Sequence, residues 1–136
     1  MYITLETDYA VRIISCLAAS EHRLDAKTIS ERTCVTLRFA LKILRKLVAG
    51  GLVHSYKGTQ GGYDLAKTPK EITLCDIVEI TEGTYKFSRC LDGEVPCSRG
   101  MSGVCCYQKA FGEITDQVRK MLLQYNIEDL NKKQRK

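Results

Sequence analysis

Seven cysteines occur in the 136 residues, and four of them crowd into CLDGEVPCSRGMSGVCC, residues 90 to 106. Six residues separate Cys90 from Cys97 and seven separate Cys97 from Cys105, with Cys106 directly after. A thiolate is both a soft metal ligand and a nucleophile. The run therefore admits a disulfide, a zinc site, a redox-active thiol pair or an iron–sulfur cluster. Structural zinc favours closely spaced cysteine pairs, which this stretch lacks. A resting disulfide calls for an oxidising compartment, whereas a redox-switched one does not. An iron–sulfur cluster needs thiolates that converge, and widely spaced cysteines on one loop can do this. Spacing alone leaves these alternatives open.

The surroundings narrow the choice. Residues 1–20 carry Glu6, Asp8 and Arg12 inside their apolar pattern, which fits neither a signal peptide nor a membrane span. The expectation is a cytoplasmic protein with reduced thiols. There, an odd number of cysteines points to metal, cluster or redox chemistry rather than a disulfide framework. The length is that of about one domain and suffices for a real core. The sequence has no Gly-rich phosphate loop ending in Lys-Ser/Thr and no nucleophile–base pattern, so an enzyme is the least supported class.

Charge is divided along the chain. Residues 1–60 hold nine Lys/Arg against five Asp/Glu, and residues 61–131 hold eight against eleven. The closing KKQRK adds four cations and brings the net charge to +5. A basic first half suits a module that presents one face to a polyanion, although an ordinary solvated surface gives the same balance.

Apolar periodicity then supplies the elements. Tyr9, Ala10, Ile13, Ile14, Leu17 and Ala18 repeat as one face of a helix over 6–20, with Thr7 or Asp8 as its cap. A short helix over 26–33 follows. Thr36 reads as the N-cap of a basic third helix, whose stripe comprises Leu37, Ala40, Leu41, Leu44, Leu47 and Val48. Gly50-Gly51 closes it. Strands near 52–57 and 62–66 flank a Gly-rich turn, as in a hairpin. Thr73 caps a fourth helix that stops at Gly83, and the cysteine segment 88–106 is a loop. A last long helix carries Phe111, Ile114, Val118, Met121 and Leu122, and the polar tail NKKQRK is expected to fray. Cys16, Cys34 and Cys75 fall within helical patterns and read as small buried hydrophobes.

This order predicts a mainly α fold with a small β-hairpin wing, the winged helix-turn-helix. In it the third helix enters the DNA major groove, N-terminal residues nearest the bases. Thr36, Arg38, Phe39 and Lys42 form the candidate groove set. Arg38 is suited to bidentate reading of guanine, worth about 1–3 kcal/mol of discrimination, and Phe39 to a thymine methyl group. Lys57, beside the glycines of the hairpin tip, is the candidate backbone or minor-groove contact. The plainer readings are a solvated helix face, a core phenylalanine and an ordinary glycine turn.

Four segments, TDYAVRIISCLA, TISERTCVTLRFALKILRKLVAGGLV, GTQGGYDLAK and ITLCDIVEITEG, together resemble the bacterial winged-helix transcriptional regulators typified by IscR, NsrR and CymR. The likeness covers roughly residues 1–125, and the GGLV and GGY wing with the ITLxDIVE helix is its most specific part. It implies a homodimer on a palindromic promoter site. It also implies a division into a winged helix-turn-helix over 1–83, a cysteine-rich cluster loop over 84–106, a dimerisation helix over 107–125 and a basic tail over 126–136. Arg38 and Leu41 depart from the polar or small residues usual in the family and imply a different operator.

The resemblance also bears on the cofactor. Cluster-binding members carry three loop cysteines before the long helix and hold a 2Fe–2S cluster, in some cases 4Fe–4S. The aromatic at Phe111, six residues after Cys105, makes Cys90, Cys97 and Cys105 the implied ligands and leaves Cys106 without a role. Some members use a histidine three residues after the third cysteine; here that position is Gln108. Others use an acidic residue early in the first helix, which here is Asp8 and would reach the cluster of the partner subunit. The plainer reading of Asp8 is a carboxylate favoured by the helix dipole. A thiol- or zinc-based sensor loop on the same DNA-binding module is the alternative.

Overall fold

Thr4 begins the first helix. Its hydroxyl accepts from the Thr7 backbone N–H, and α1 runs Leu5–Ala18. The sequence placed this cap at Thr7 or Asp8. Thr7 instead lies buried in the first turn, its hydroxyl held by Thr81 at 2.6 Å and donating to Glu82 at 2.8 Å. The computed structural model describes residues 2–135.

Asp25 caps α2 (Ala26–Thr33) through the Thr28 N–H. Thr36 caps α3 (Leu37–Ala49) through the Phe39 N–H at 3.3 Å. Between them Cys34 takes a left-handed conformation, φ 56°, and is exposed. This position usually falls to glycine at a helix end. The expectation that Cys34 is a buried hydrophobe therefore fails, because tight-turn geometry turns the side chain outward. Cys75 is buried and Cys16 half-buried.

The core joins α1, α2 and α3 through Ile13, Ile14, Ile29, Ile43, Leu44 and Leu47, all fully enclosed, and reaches the wing at Val53. Each such side chain contributes about 1.5–3 kcal/mol of transfer free energy. The buried face of α3 includes Ile43 and omits Leu37, which is 46% exposed at the helix start. Gly51, at φ 80°, turns the chain out of α3 into the hairpin.

Strands β1 (Val53–Tyr56) and β2 (Gly62–Leu65) pair antiparallel, Val53 with Leu65 and Tyr56 with Gly62. Leu24 adds an isolated bridge to Tyr63. A Cβ on Gly62 would stand 2.8 Å from the Leu24 carbonyl oxygen, and φ there is 139°, so only glycine lets the wing dock this closely.

Thr73 and Asp76 form a capping box at the start of α4 (Leu74–Glu82), which ends at Gly83. After the cysteine loop, α5 spans Cys106–Gln124. Residues 127–134 are helical against expectation: α6 runs Ile127–Gln134, with Asn126 as its cap. Ile127 is only 2% exposed, and its N–H donates to the Ile72 carbonyl. One buried apolar side chain and a capped start anchor a helix too polar for periodicity to reveal.

Candidate functional site

The face around α3 is basic and accessible. Arg38, Lys42 and Arg45 line one shallow cavity with Phe39 and Leu41. Phe39 is 39% exposed and packs edge-on to Tyr9 at 5.7 Å, while the Lys42 ammonium lies 5.8 Å from its ring. Phe39 is thus half structural, holding α3 to α1, with one edge left for a ligand. The Thr36 hydroxyl is engaged as the cap, so its role is to orient the helix start. Lys57 is exposed at the wing tip.

Wing support came from residues that sequence reasoning missed. The Arg23 guanidinium stacks 3.4 Å from the Tyr56 ring centroid and lies 3.6 Å from Asp64. His54 stands 3.7 Å from the same carboxylate. Arg23 precedes the wing by thirty residues, and no local pattern signals that pairing.

The cysteine loop is fastened to α5 at several points. Phe87 stacks against Phe111 at 5.6 Å, and its N–H donates to the Thr115 hydroxyl. Gln108 bridges the two ends of the loop. Its side-chain N–H donates to the Cys90 carbonyl at 2.6 Å, and its side-chain oxygen accepts from the Gly103 N–H at 2.8 Å. Between these ties lie the turns that carry Cys97.

Each loop cysteine has a distinct setting. Cys90 Sγ is 3.1 Å from the Ser88 hydroxyl. Cys105 is the N-cap of α5 and makes no side-chain cap hydrogen bond. Cys97 is half-buried, and the backbone N–H groups of Met101 and Arg99, assisted by the Arg99 charge and the Gly100 N–H, hold its thiol below the ordinary value. Cys106 is exposed in the first helical turn. The donor set fits a soft metal: three thiols on one loop, one of them stabilised as thiolate by backbone donors. Among the described residues, however, no three His, Cys, Asp or Glu side chains stand together closely enough to hold a metal ion.

Asp8 stands apart from these cysteines. Its carboxylate pairs with Arg12 at 2.9 Å, and Arg12 donates to the Thr33 carbonyl at the end of α2. Within one chain it belongs to the helix-turn-helix.

Contacts of α5 join the loop to that module. Arg119 grips Glu79 of α4 through two nitrogens, at 2.6 and 3.0 Å. Beside this pair lies Cys75, whose thiol is pushed up by burial and by Glu79. In turn α4 packs on both α1 and α3.

A basic third helix beside a docked hairpin defines a winged-helix, DNA-binding transcription regulator. The family model for Rrf2, described as an iron-dependent transcriptional regulator, matches residues 3–133, and this chain belongs to that family. Protein aau3 of Rhizobium meliloti (strain 1021) is 33% identical over 134 residues, covering 97% of this chain and 86% of that protein. The HTH-type transcriptional regulator NsrR of Shouchella clausii (strain KSM-K16) is 28% identical over 132 residues, 96% of this chain and 88% of that one. Among solved structures, CymR (YrzC), the global cysteine regulator of B. subtilis, superposes with a TM-score of 0.76 at 26% identity, covering 97% of both chains. The family description and the names of NsrR and CymR are those of regulators, not enzymes, and no described helix is long and apolar enough to cross a membrane.

Proposed function

We propose that this protein is a cytoplasmic, homodimeric repressor whose hold on a palindromic promoter site is set by an iron–sulfur cluster on Cys90, Cys97 and Cys105. A 2Fe–2S cluster is favoured over 4Fe–4S, with the partner subunit's Asp8 as the fourth ligand. The observation that carries the reading is a loop bearing Cys90, Cys97 and Cys105 that Gln108 ties at Cys90 and Gly103 to α5, and the lowered Cys97 thiol agrees with it. The description of the family as iron-dependent agrees with it. When bound, the cluster would supply an iron–sulfide centre that redox change, nitric oxide or iron supply can alter. The chain's own residues do the rest: Gln108 ties the loop ends, and Arg119–Glu79 passes a shift of α5 to α4.

Dimerisation is supported by the surface of α5. Tyr107, Ile114 and Met121 recur every seven residues and are 66%, 41% and 56% exposed. Half-buried Phe111 and Val118 run beside them on the same helix, the spacing of a two-row apolar seam. Dimerisation would bring the partner subunit's Asp8 within reach of the loop, which accounts for its separation from the cysteines of its own chain.

In a second reading the loop is a thiol or zinc sensor. It draws on the likeness to a structure named as a global cysteine regulator and on the loop thiols standing apart in the single chain. Promoter-fragment binding by anaerobically purified protein separates the two readings. Affinity that changes on treatment with nitric oxide or an iron chelator, and is indifferent to those agents in Cys97→Ala, supports the cluster. Affinity that responds only to thiol oxidants and reductants supports the second reading.

A further inference from the structure

The C-terminal helix ends beside the turn that leads into the recognition helix, and its charge is arranged to match. Its placement is set by its other face. Ile127 is buried, the Asn131 side-chain N–H donates to the Ser15 carbonyl at 3.1 Å, and the Ser15 hydroxyl donates to Asn131 at 2.7 Å. These contacts lay α6 along α1. Gln134, its last residue, lines one cavity with Arg12, Arg32 and Thr33. Thr33 closes α2, three residues before the cap of α3.

Acidic residues occupy the first turn of α6, Glu128 and Asp129, and basic residues the last, Lys132 and Lys133, with Arg135 following. That polarity suits the helix dipole. The dipole explains why the cations stabilise the helix, but not why the helix is docked with this end at the helix-turn-helix. Lys132 pairs with Glu128 at 3.5 Å. Among the described residues no carboxylate lies within ion-pair distance of Lys133, Arg135 or Arg32. Unpaired cations beside a segment that meets DNA are placed to neutralise phosphates.

We propose that the end of α6, through Lys133 and Arg135 together with Arg32 of α2, forms a second phosphate-binding surface that flanks the recognition helix. The proposal rests on DNA binding by the helix-turn-helix and extends its footprint along the backbone without adding base readout. It assigns a function to a segment whose sequence suggested only a solvated tail.

The test uses the full chain and a random-sequence duplex, whose binding is wholly electrostatic and needs no knowledge of the operator. Affinity is measured by fluorescence anisotropy across a salt series. Each lost phosphate contact removes about 0.9 from the slope of log affinity against log salt, so in a dimer that sets both protomers on the duplex K133Q/R135Q lowers it by about 3.6 and Arg32→Gln by about 1.8. The same charge loss on α5, K109Q/K120Q, leaves the slope unchanged, and circular dichroism verifies that each variant is folded. An unchanged slope in K133Q/R135Q, or an equal fall in both double variants, overturns the proposal. A wild-type chain that does not bind the duplex at any salt would instead contradict the DNA-binding reading on which it rests.

Discussion

The side-chain amide of Gln108 donates to the backbone carbonyl of Cys90 at 2.6 Å, across eighteen residues of sequence. Its oxygen simultaneously takes the Gly103 N–H. One end must donate and the other accept, so the amide orientation is fixed and only an amide satisfies both. Gln108 occupies the position where the resemblance implied a histidine ligand. Its chemistry is that of a brace.

Replacing it tests the brace. Gln108→Glu keeps the acceptor for Gly103 but sets a carboxylate oxygen against the Cys90 carbonyl, an unsatisfied contact worth about 1–3 kcal/mol. The loop loosens, and alkylation of Cys90 and Cys97 in metal-free protein accelerates while α1–α4 stay folded. Identical alkylation rates in the two proteins would show that Gln108 does not constrain the loop.

For DNA recognition, Arg38 and Lys57 separate base readout from backbone contact. Arg38→Ala weakens binding to the operator by about 1–3 kcal/mol and binding to random sequence far less. Lys57→Ala weakens both alike and, with one wing from each protomer, lowers the salt slope by about 1.8. An equal loss on both duplexes for Arg38→Ala would count against groove reading.

Cys97 has a pH signature. Its thiol is held below the ordinary value by the Met101 and Arg99 N–H groups, so the thiolate persists to lower pH than in an unstructured cysteine. Alkylation of the Cys97 peptide, followed by mass spectrometry, reaches half its maximal rate at a lower pH than an unstructured cysteine and falls as pH drops through that point. Urea returns the midpoint upward. A folded-state midpoint equal to that in urea would contradict the assignment.

At Cys34 the backbone, not the thiol, sets the constraint. Its φ of 56° costs a β-branched residue about 1–2 kcal/mol, whereas glycine or asparagine is accommodated. Thermal melts of Cys34→Val and Cys34→Gly will show destabilisation in the first alone; equal effects would mean that the turn relaxes on substitution.

The elements were legible in the sequence wherever a cap and an apolar stripe coincided. Thr36 with Leu44 and Leu47, and Thr73 with Ile77 and Val78, are found by period and hydroxyl alone. What escaped depended on partners distant in the chain. Ile127 needs Ile72 to make α6 a docked helix, Arg23 needs Tyr56 and Asp64, and Thr7 is drawn inward by Thr81 and Glu82. The outward turn of Cys34 follows from chain geometry that residue type does not encode. For the candidate site, spacing identified which thiols share a loop. It gave no sign of the N–H groups around Cys97 or of the double bridge by Gln108, because both arise from the path of the loop backbone.

In the proposed repressor Cys90, Cys97 and Cys105 together hold an iron–sulfur cluster. Purification without oxygen, followed by iron, acid-labile sulfide and zinc analysis of the wild-type and Cys97→Ala proteins, addresses it most directly. A cluster on these three thiols gives iron and sulfide in equal amounts with visible absorption in the wild type, and loss of all three in the variant. Zinc in their place, or thiols with neither metal nor sulfide, would contradict it.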